Sequence, residues 1–189
     1  MLMVMKRTKK LTQSSVDLTR VSRTVYFLLG FFALSIIIFD SGNLITREAV
    51  IQRWTACSIL LVVNTICWAL AGQKNRVESK KVATTALALC TLLFAGFMTY
   101  WERGMASSST ILYVIPLLII ATLKNRHSLM AFTALSAGTY AFAAVKYFND
   151  FFNEGYRIQL WGNIALYSGI IFVSAWFIMI IAGLRHDSE

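Results

Sequence analysis

Charge is the property that this sequence has least of. Only 14% of its 189 residues are Asp, Glu, Lys or Arg, whereas soluble domains average roughly 25%. Hydrophobic residues make up 57% of the chain, and the mean hydropathy is +0.62. So few charges cannot cover so much apolar side chain in a soluble fold of this length. The composition therefore excludes an ordinary soluble domain and indicates a bundle of membrane helices.

Proline and cysteine are also scarce. One proline and ten glycines exclude a flexible linker and a fibrous chain. The three cysteines are an odd number, form no Cys-x-x-Cys pair and each lie inside an apolar run, which excludes a disulfide or zinc framework. We therefore predict that Cys57, Cys67 and Cys90 are small buried hydrophobic side chains.

The apolar runs also lack catalytic constellations. They contain no paired carboxylates, no nucleophile with a histidine partner and no metal-ligand spacing, so we predict no enzyme activity, cofactor or metal. His127 and His186 have no other His or Cys nearby and are predicted to be surface residues at helix ends. The stretch Ser107–Thr110 does not match the Gly-x-Ser-x-Gly elbow of serine hydrolases, and we expect its hydroxyls to cap a helix.

Six apolar runs are long enough, or nearly so, to cross a bilayer. A transmembrane helix needs roughly 20 such residues, and helices are favoured because each satisfies its backbone hydrogen bonds within its own segment. The predicted fold is all-α, an integral membrane bundle of six transmembrane helices with short connections. The spans cover approximately residues 22–40, 54–73, 82–101, 105–123, 128–147 and 159–184.

Basic residues predict the orientation of this bundle. The net charge of +9 comes from residues that flank the apolar runs, which sets membrane topology and does not indicate a nucleic-acid partner. Thirteen of the eighteen Lys and Arg fall on the side of the N-terminus, which predicts that both termini are cytoplasmic. The remaining five are Arg47, Arg53, Arg103, Lys146 and Arg157.

The N-terminus begins apolar and then becomes basic, the reverse of a cleavable signal peptide. We therefore divide the chain into a cytoplasmic basic arm, residues 1–20, and a transmembrane domain, residues 21–189. The arm is either an interfacial segment attracted to anionic lipid or a simple topogenic tail.

Polar and aromatic residues at unusual depths are the candidates for ligand binding. Asn64 lies near the centre of the second span, where a carboxamide needs a partner from another helix or a ligand. Tyr113 and Tyr140 lie deep in their spans and need partners for their hydroxyls. They either line an aromatic pocket or pack in the core of the bundle. Others lie at the predicted outer ends, where solvated loops are the alternative interpretation. The full candidate set is Asn64, Trp101, Glu102, Tyr113, Tyr140 and Lys146.

Two further features concern helix packing. Ala134 and Gly138 in the fifth span, like Ala137 and Ala141, are four residues apart, a spacing that lets another helix approach closely. The partner helix would belong to the same chain or to a second copy, in a homodimer formed through the fifth or sixth span. Pro116, the only proline, is predicted to kink the fourth helix.

The segment 111–148 resembles paired helices of the multispanning N-terminal sensor regions of bacterial histidine kinases and related signalling proteins. The likeness rests on Tyr113, Pro116, the basic turn Lys124–His127 and the Ala/Gly-rich fifth span. The final span, running out through Gly183, resembles the exit helix that feeds a cytoplasmic coiled coil. The resemblance implies the cytoplasmic (inner) membrane and an output domain or signalling partner, although the sequence contains no phosphoacceptor segment or ATP-binding domain.

These observations predict a non-enzymatic sensory membrane module that couples a ligand or the membrane state to its last helix. The bilayer itself is its first partner. The alternative is a small-molecule-binding subunit of a transporter, because six helices in a chain of this length also resemble the membrane subunits of vitamin transporters. A channel is disfavoured because no ring of charge is visible.

Overall fold

The computed structural model describes residues 2–72, 77–102, 104, 107–151 and 157–184, and only the backbone of residues 2–17, 72 and 77. This part of the chain is helical and contains no strand, which confirms the all-α class. Six α-helices and a 3-10 helix follow one another in chain order. They are α1 Leu2–Ser41, α2 Arg47–Gly72, α3 Val77–Trp101, the 3-10 helix Ser108–Tyr113, α4 Val114–Ala121, α5 Arg126–Phe151 and α6 Arg157–Ile181.

Five of these helices contain segments long and apolar enough to cross a membrane. The segments are Leu18–Ser41, Arg47–Ala71, Glu78–Trp101, Arg126–Phe151 and Arg157–Ile181, and they overlap five of the six predicted spans. Large apolar side chains such as Phe27, Phe31 and Ile181 point outward from them, with 76% or more of their surface exposed. An aqueous surface rarely carries such patches, so these faces suit hydrocarbon.

The chain forms two compact units, residues 1–87 and 88–189, with the boundary inside α3. In the first unit, α1 packs along α2, and the short turn between them makes the pair antiparallel. Leu29, Ile36 and Leu60 belong to its buried core. The start of α3 joins this unit where the Cys67 thiol on α2 meets the Ala83 carbonyl oxygen at 3.5 Å.

In the second unit, α5 packs along α6, and α4 contacts both helices. The last part of α3 runs parallel to α5, because Gly96 lies beside Thr139 and Tyr100 beside Tyr147. α6 is antiparallel to α5. One end of this unit therefore gathers the C-terminal ends of α3 and α5, the beginning of the 3-10 helix and the beginning of α6.

A polar side chain caps the beginning of α5. The Asn125 side-chain oxygen accepts hydrogen bonds from the backbone N–H groups of His127 at 3.0 Å and Ser128 at 3.4 Å, which caps the first turn of α5. The preceding Lys124 has a positive φ of 53°. The stretch between α4 and α5 is thus a tight turn, as predicted, and His127 is an exposed residue at a helix end. His186 lies outside the described residues, as does Arg103.

The end of α6 differs from the predicted exit helix. Gly183 adopts a positive φ of 67°, its N–H donates to the Ile180 carbonyl at 3.2 Å, and the Leu184 N–H donates to the Met179 carbonyl at 3.0 Å. This pair of bonds is a Schellman motif, which terminates a helix. Residues 182–184 therefore form a turn, and the last span does not project as a continuous helix through Gly183.

The fourth predicted span is a composite element. The 3-10 helix has 6 residues and α4 has 8. At about 2.0 Å and 1.5 Å of rise per residue, they extend over roughly 24 Å, compared with roughly 30 Å of bilayer hydrocarbon. Pro116 lies in the first turn of α4, where its missing N–H costs little. The structure shows a change of helix type between Tyr113 and Val114, and the kink at Pro116 stays a prediction.

The structure also bears on two other predictions, the junction between the basic arm and the first span and the small-residue pair of the fifth span. α1 is continuous across the predicted junction between the basic arm and the first span, so the cytoplasmic position of residues 1–20 stays a prediction. The small-residue pair Ala134 and Gly138 is exposed, and a Cβ built on Gly138 meets nothing within 4 Å. A seam between this pair and another helix of the described chain is therefore wrong, while a contact with a second copy stays a prediction.

Candidate functional site

Tyr113 and Tyr140 meet in the interior of the second unit. Their ring centroids are 5.8 Å apart, with the planes at 87°, and both side chains are fully buried. Tyr113 is the last residue of the 3-10 helix, and Tyr140 lies midway along α5. Edge-to-face packing of this kind is favourable for aromatic rings. The structure thus brings together two candidates that are 27 positions apart in the sequence.

Two smaller hydroxyls lie next to this pair. Thr99 on α3 faces the Tyr113 hydroxyl, and Ser136 precedes Tyr140 by one helical turn, on the same face of α5. We call Thr99, Tyr113, Ser136 and Tyr140 the hydroxyl cluster. The hydroxyls of Thr99 and Tyr113 partner each other, whereas those of Ser136 and Tyr140 have no partner in the described part of the chain.

Neighbouring threonines show that this is not the usual state of a hydroxyl in these helices. On α5, Thr133 and Thr139 each donate to a carbonyl of their own helix at 2.8 Å, whereas Ser136 between them does not. On α3, Thr91 also donates to its own helix, at 2.9 Å, whereas Thr99 does not. The cluster therefore keeps unused hydrogen-bonding capacity in a buried place, which is costly unless something supplies it.

A close approach of two helices positions the cluster. Gly96 on α3 is so near α5 that a Cβ built on it would lie 2.7 Å from the Thr139 methyl carbon and 3.7 Å from the Tyr113 hydroxyl. Only glycine avoids this overlap, so Gly96 sets the separation of α3 and α5. That separation places Thr99, one turn further along α3, beside Tyr113.

Tyr167 connects the cluster to α6. Its ring centroid lies 5.4 Å from that of Tyr140, with the planes at 65°. The three tyrosines thus form a continuous aromatic line from the 3-10 helix across α5 to the last helix. A movement of the Tyr113 or Tyr140 ring can therefore be transmitted to α6 through these ring contacts.

Glu102 closes the turn that follows α3. Its Oε2 accepts hydrogen bonds from the Ser109 hydroxyl and, at 3.4 Å, from the Ser107 hydroxyl. The Ser107 hydroxyl in turn accepts from the Ser109 backbone N–H at 3.0 Å and caps the 3-10 helix. The predicted capping role of this serine stretch is confirmed, and Glu102 is engaged by its own chain.

Lys146 lies at the same end of the unit. Its Nζ is 2.9 Å from Asp150 Oδ1, and the Tyr100 hydroxyl donates to Asp150 Oδ2 at 2.7 Å. Trp101 packs edge-to-face on Tyr100, with centroids 5.6 Å apart. This exposed network joins the end of α3 to the end of α5. Lys146 and Trp101 lie in this network, apart from the buried hydroxyl cluster.

Asn64 lies in the first unit, so it does not share a site with the other candidate residues. It is fully buried, and its Nδ2 donates to the Ser22 carbonyl oxygen at 3.0 Å. The Tyr26 hydroxyl makes a second bond between the same helices, to Thr65 Oγ1 at 2.8 Å. Asn64 therefore joins α1 to α2, the structural interpretation that the sequence had also allowed.

An open groove of about 480 Å³ lies in the first unit, between the end of α2 and the beginning of α3. Val63, Ile66, Leu70 and Val82 line it, and Glu78 supplies its one carboxylate. These walls suit a hydrocarbon chain better than a polar molecule. The hydroxyl cluster is accordingly the better candidate for polar recognition.

Sequence reasoning found Tyr113 and Tyr140 but missed Thr99, Ser136 and Tyr100 with its partner Asp150. The spacing of Ser136 and Tyr140, one turn apart, was the available signal. Thr99 gave none, because its neighbours Tyr100 and Trp101 look like an interfacial aromatic belt. Among the described residues, no group of three His, Cys, Asp or Glu could hold a metal ion.

Comparison with protein-family models, curated proteins and solved structures finds no match to this chain.

Proposed function

We propose that this chain is a multi-pass membrane protein with six spans and both termini in the cytoplasm. The composite element Ser108–Ala121 would be the fourth span. Its 3-10 portion supports this, because the larger rise per residue extends its 14 residues over roughly 24 Å of the roughly 30 Å hydrocarbon layer, whereas an α-helix of that length would cover only roughly 21 Å. The excess of Lys and Arg on the side of the N-terminus supports the orientation.

Cysteine labelling tests both statements. Leu44 and His127 are exposed, and three spans would separate them if the composite element crosses the bilayer. We expect Leu44→Cys to react with a membrane-impermeant maleimide on intact cells and His127→Cys to react only after lysis. The background carries Cys90→Ala, because Cys57 and Cys67 are buried whereas Cys90 is partly exposed. Labelling of both positions from one side would mean that the composite element does not cross.

We further propose a non-enzymatic sensory module, as the resemblance to histidine-kinase sensor regions implies, in a cytoplasmic-type inner membrane. The observation that carries this proposal is the aromatic line Tyr113–Tyr140–Tyr167. It links the hydroxyl cluster, which has unused hydrogen-bonding capacity, directly to the last helix. A ligand that binds one arrangement of the tyrosines better than another would bias the position of α6. An output domain or signalling partner would respond to that bias.

A fused reporter tests the coupling. A kinase output domain is joined after Glu189 of the full chain, and its basal activity is measured in membranes. Tyr167→Ala removes the contact with Tyr140 and should change the output by at least about fivefold, the lower end of typical allosteric coupling. Leu166→Ala is the matched control, because Leu166 is the preceding α6 residue and faces outward.

The sensory proposal is rejected if Tyr167→Ala, Leu166→Ala and a chain lacking residues 177–184 all give the same output as the wild type. A tightly bound molecule in that same protein would then favour the transporter-subunit alternative.

A further inference from the structure

The groove of the first unit lies where two membrane-length segments end. It is open, about 480 Å³ in volume, and lies between the last turns of α2 and the first turns of α3. The apolar segment of α2 ends at Ala71, and that of α3 begins at Glu78. The lining reaches back to Val63 and forward to Ala86, which is roughly 12 Å along each helix from these ends. In a chain that spans the bilayer, the groove therefore extends from the level of the lipid headgroups into the hydrocarbon.

The walls of the groove are apolar and open to the side. Cys67 and Ala83 are both buried and form its floor, where the Cys67 thiol meets the Ala83 carbonyl oxygen at 3.5 Å. Ile66 and Val82 line its rims, with 55% and 69% of their surface exposed. A lipid tail can thus enter from the surrounding bilayer without crossing a polar surface. Because lipid tails are as apolar as these walls, this packing alone selects no particular lipid.

Charged side chains at the surface end of the groove are able to select a headgroup. Glu78 lines the groove, and Lys81, three positions further along α3, is its neighbour on the helix surface. Both side chains are exposed, and neither forms an ion pair with another described residue. A carboxylate beside an ammonium group is complementary to a headgroup that holds an amine and a phosphate. Ser79, also in the lining, adds a hydroxyl that can donate to a phosphate oxygen.

We propose that the groove binds a phospholipid of the phosphatidylethanolamine type. One acyl chain lies between α2 and α3, the phosphate faces Lys81, and the primary ammonium donates hydrogen bonds to Glu78. A quaternary choline headgroup has no N–H to donate, and a glycerol headgroup brings no positive charge to Glu78. The connection before α3 also contains Lys74 and Arg76, so a purely anionic lipid is the competing occupant. The proposal requires only that these helices lie in a membrane and is independent of the sensory role.

Native mass spectrometry of the detergent-purified full chain tests the headgroup. The probes are phosphatidylethanolamine, phosphatidylcholine and phosphatidylglycerol with identical acyl chains. For the first bound lipid, the apparent Kd of the ethanolamine form should be at least about fivefold lower than that of the choline form, the effect of one charge at a membrane surface. Glu78→Gln should bring this ratio close to one, and Lys81→Gln should weaken both lipids alike. Glu48→Gln is the matched control and should keep the ratio, because Glu48 is also exposed at the second position of its helix.

Filling the groove tests the location of the lipid. Ala86→Trp places a large side chain in the lining, whereas Ala69→Trp, the matched control, lies on α2 outside it. Both alanines are exposed, so tryptophan should fit at either position, and circular dichroism checks that the helix content is kept. Ala86→Trp should weaken the binding of phosphatidylethanolamine by at least the same fivefold, because the lipid loses its place beside Glu78. Ala69→Trp should leave binding unchanged.

The proposal fails if the wild type binds the ethanolamine and choline lipids equally, because the groove would then accept tails without distinguishing headgroups. It fails equally if Glu78→Gln keeps the preference for ethanolamine. Tighter binding of phosphatidylglycerol than of phosphatidylethanolamine would show a general attraction of the basic residues for anionic lipid instead. Equal binding by the two tryptophan variants would mean that the lipid lies elsewhere on the surface.

Discussion

Gly96→Val should destabilise the protein by about 3 kcal/mol, the upper part of the usual range for overpacking a well-packed interior. A Cβ at this position would lie 2.7 Å from the Thr139 methyl carbon, and valine adds two further methyl groups. Thr139 cannot simply turn away, because its hydroxyl donates to the Leu135 carbonyl at 2.8 Å. The helices α3 and α5 must therefore separate. Thermal unfolding of the purified chain measures the loss.

Two controls isolate the contact. Gly138→Val lies on an exposed part of α5 with nothing within 4 Å of the new Cβ, so its stability should stay within about 0.5 kcal/mol of the wild type. The pair Gly96→Ala and Thr139→Ser forms a double-mutant cycle, since serine lacks the methyl carbon that an alanine Cβ would overlap. Stability that is lost in Gly96→Ala should return in the double variant. Additive losses would show that the separation of α3 and α5 is not set by this contact.

The contrast between Gly96 and Gly138 explains what could be predicted about packing. The spacing of Ala134 and Gly138 shows that α5 can be approached closely, but it contains no information about which surface does so. Gly96 stands alone among larger residues, so no spacing marks it. Its role depends on the register of α3 against α5, which follows from the fit of all their side chains together. Hydropathy predicts spans from one helix at a time, and register involves two.

The 3-10 geometry of the fourth span could not be predicted for a related reason. The apolar run around Pro116 is uniform in hydropathy, so it predicts a span and nothing about the path of the backbone. In the structure, Glu102 and Ser107 hold the chain as it turns away from α3, and the 3-10 geometry begins at this anchor. The end of α6 was readable in principle, because glycine after an apolar run is a stop signal. The prediction of a continuous exit helix disregarded the stop signal at Gly183 and was wrong.

The candidate site was predictable in its components only. Depth within an apolar run identified Asn64, Tyr113 and Tyr140 as residues that need partners. The structure gives Asn64 a carbonyl of α1. It places the two tyrosines together, with Thr99 at the Tyr113 hydroxyl and no partner for the Tyr140 hydroxyl among the described residues. Polarity and depth are properties of one residue, whereas a site is a property of neighbours. Thr99 joins the site only because Gly96 brings α3 close to α5.

Gly104→Ala should cost at least about 2 kcal/mol, from two independent causes. Gly104 has a positive φ of 58°, and an L-residue in this left-handed region loses about 1–2 kcal/mol. A Cβ there would also lie 2.7 Å from the Tyr147 Cβ and from a ring carbon of Tyr147, which adds about 1–3 kcal/mol of overpacking. The turn after α3 would shift, and with it the serines that bond Glu102. Thermal unfolding measures the total.

Gly183→Ala separates the two causes. Gly183 has nearly the same φ, 67°, but nothing lies within 4 Å of a Cβ built on it, so only the backbone strain applies. Its loss should not exceed about 1–2 kcal/mol, and the difference between the two variants measures the contact with Tyr147. Equal losses would mean that Tyr147 moves aside freely. A larger loss at Gly104 would mean that Tyr147 is held in place by α5, so that the turn after α3 and the end of α5 behave as one rigid end of the second unit.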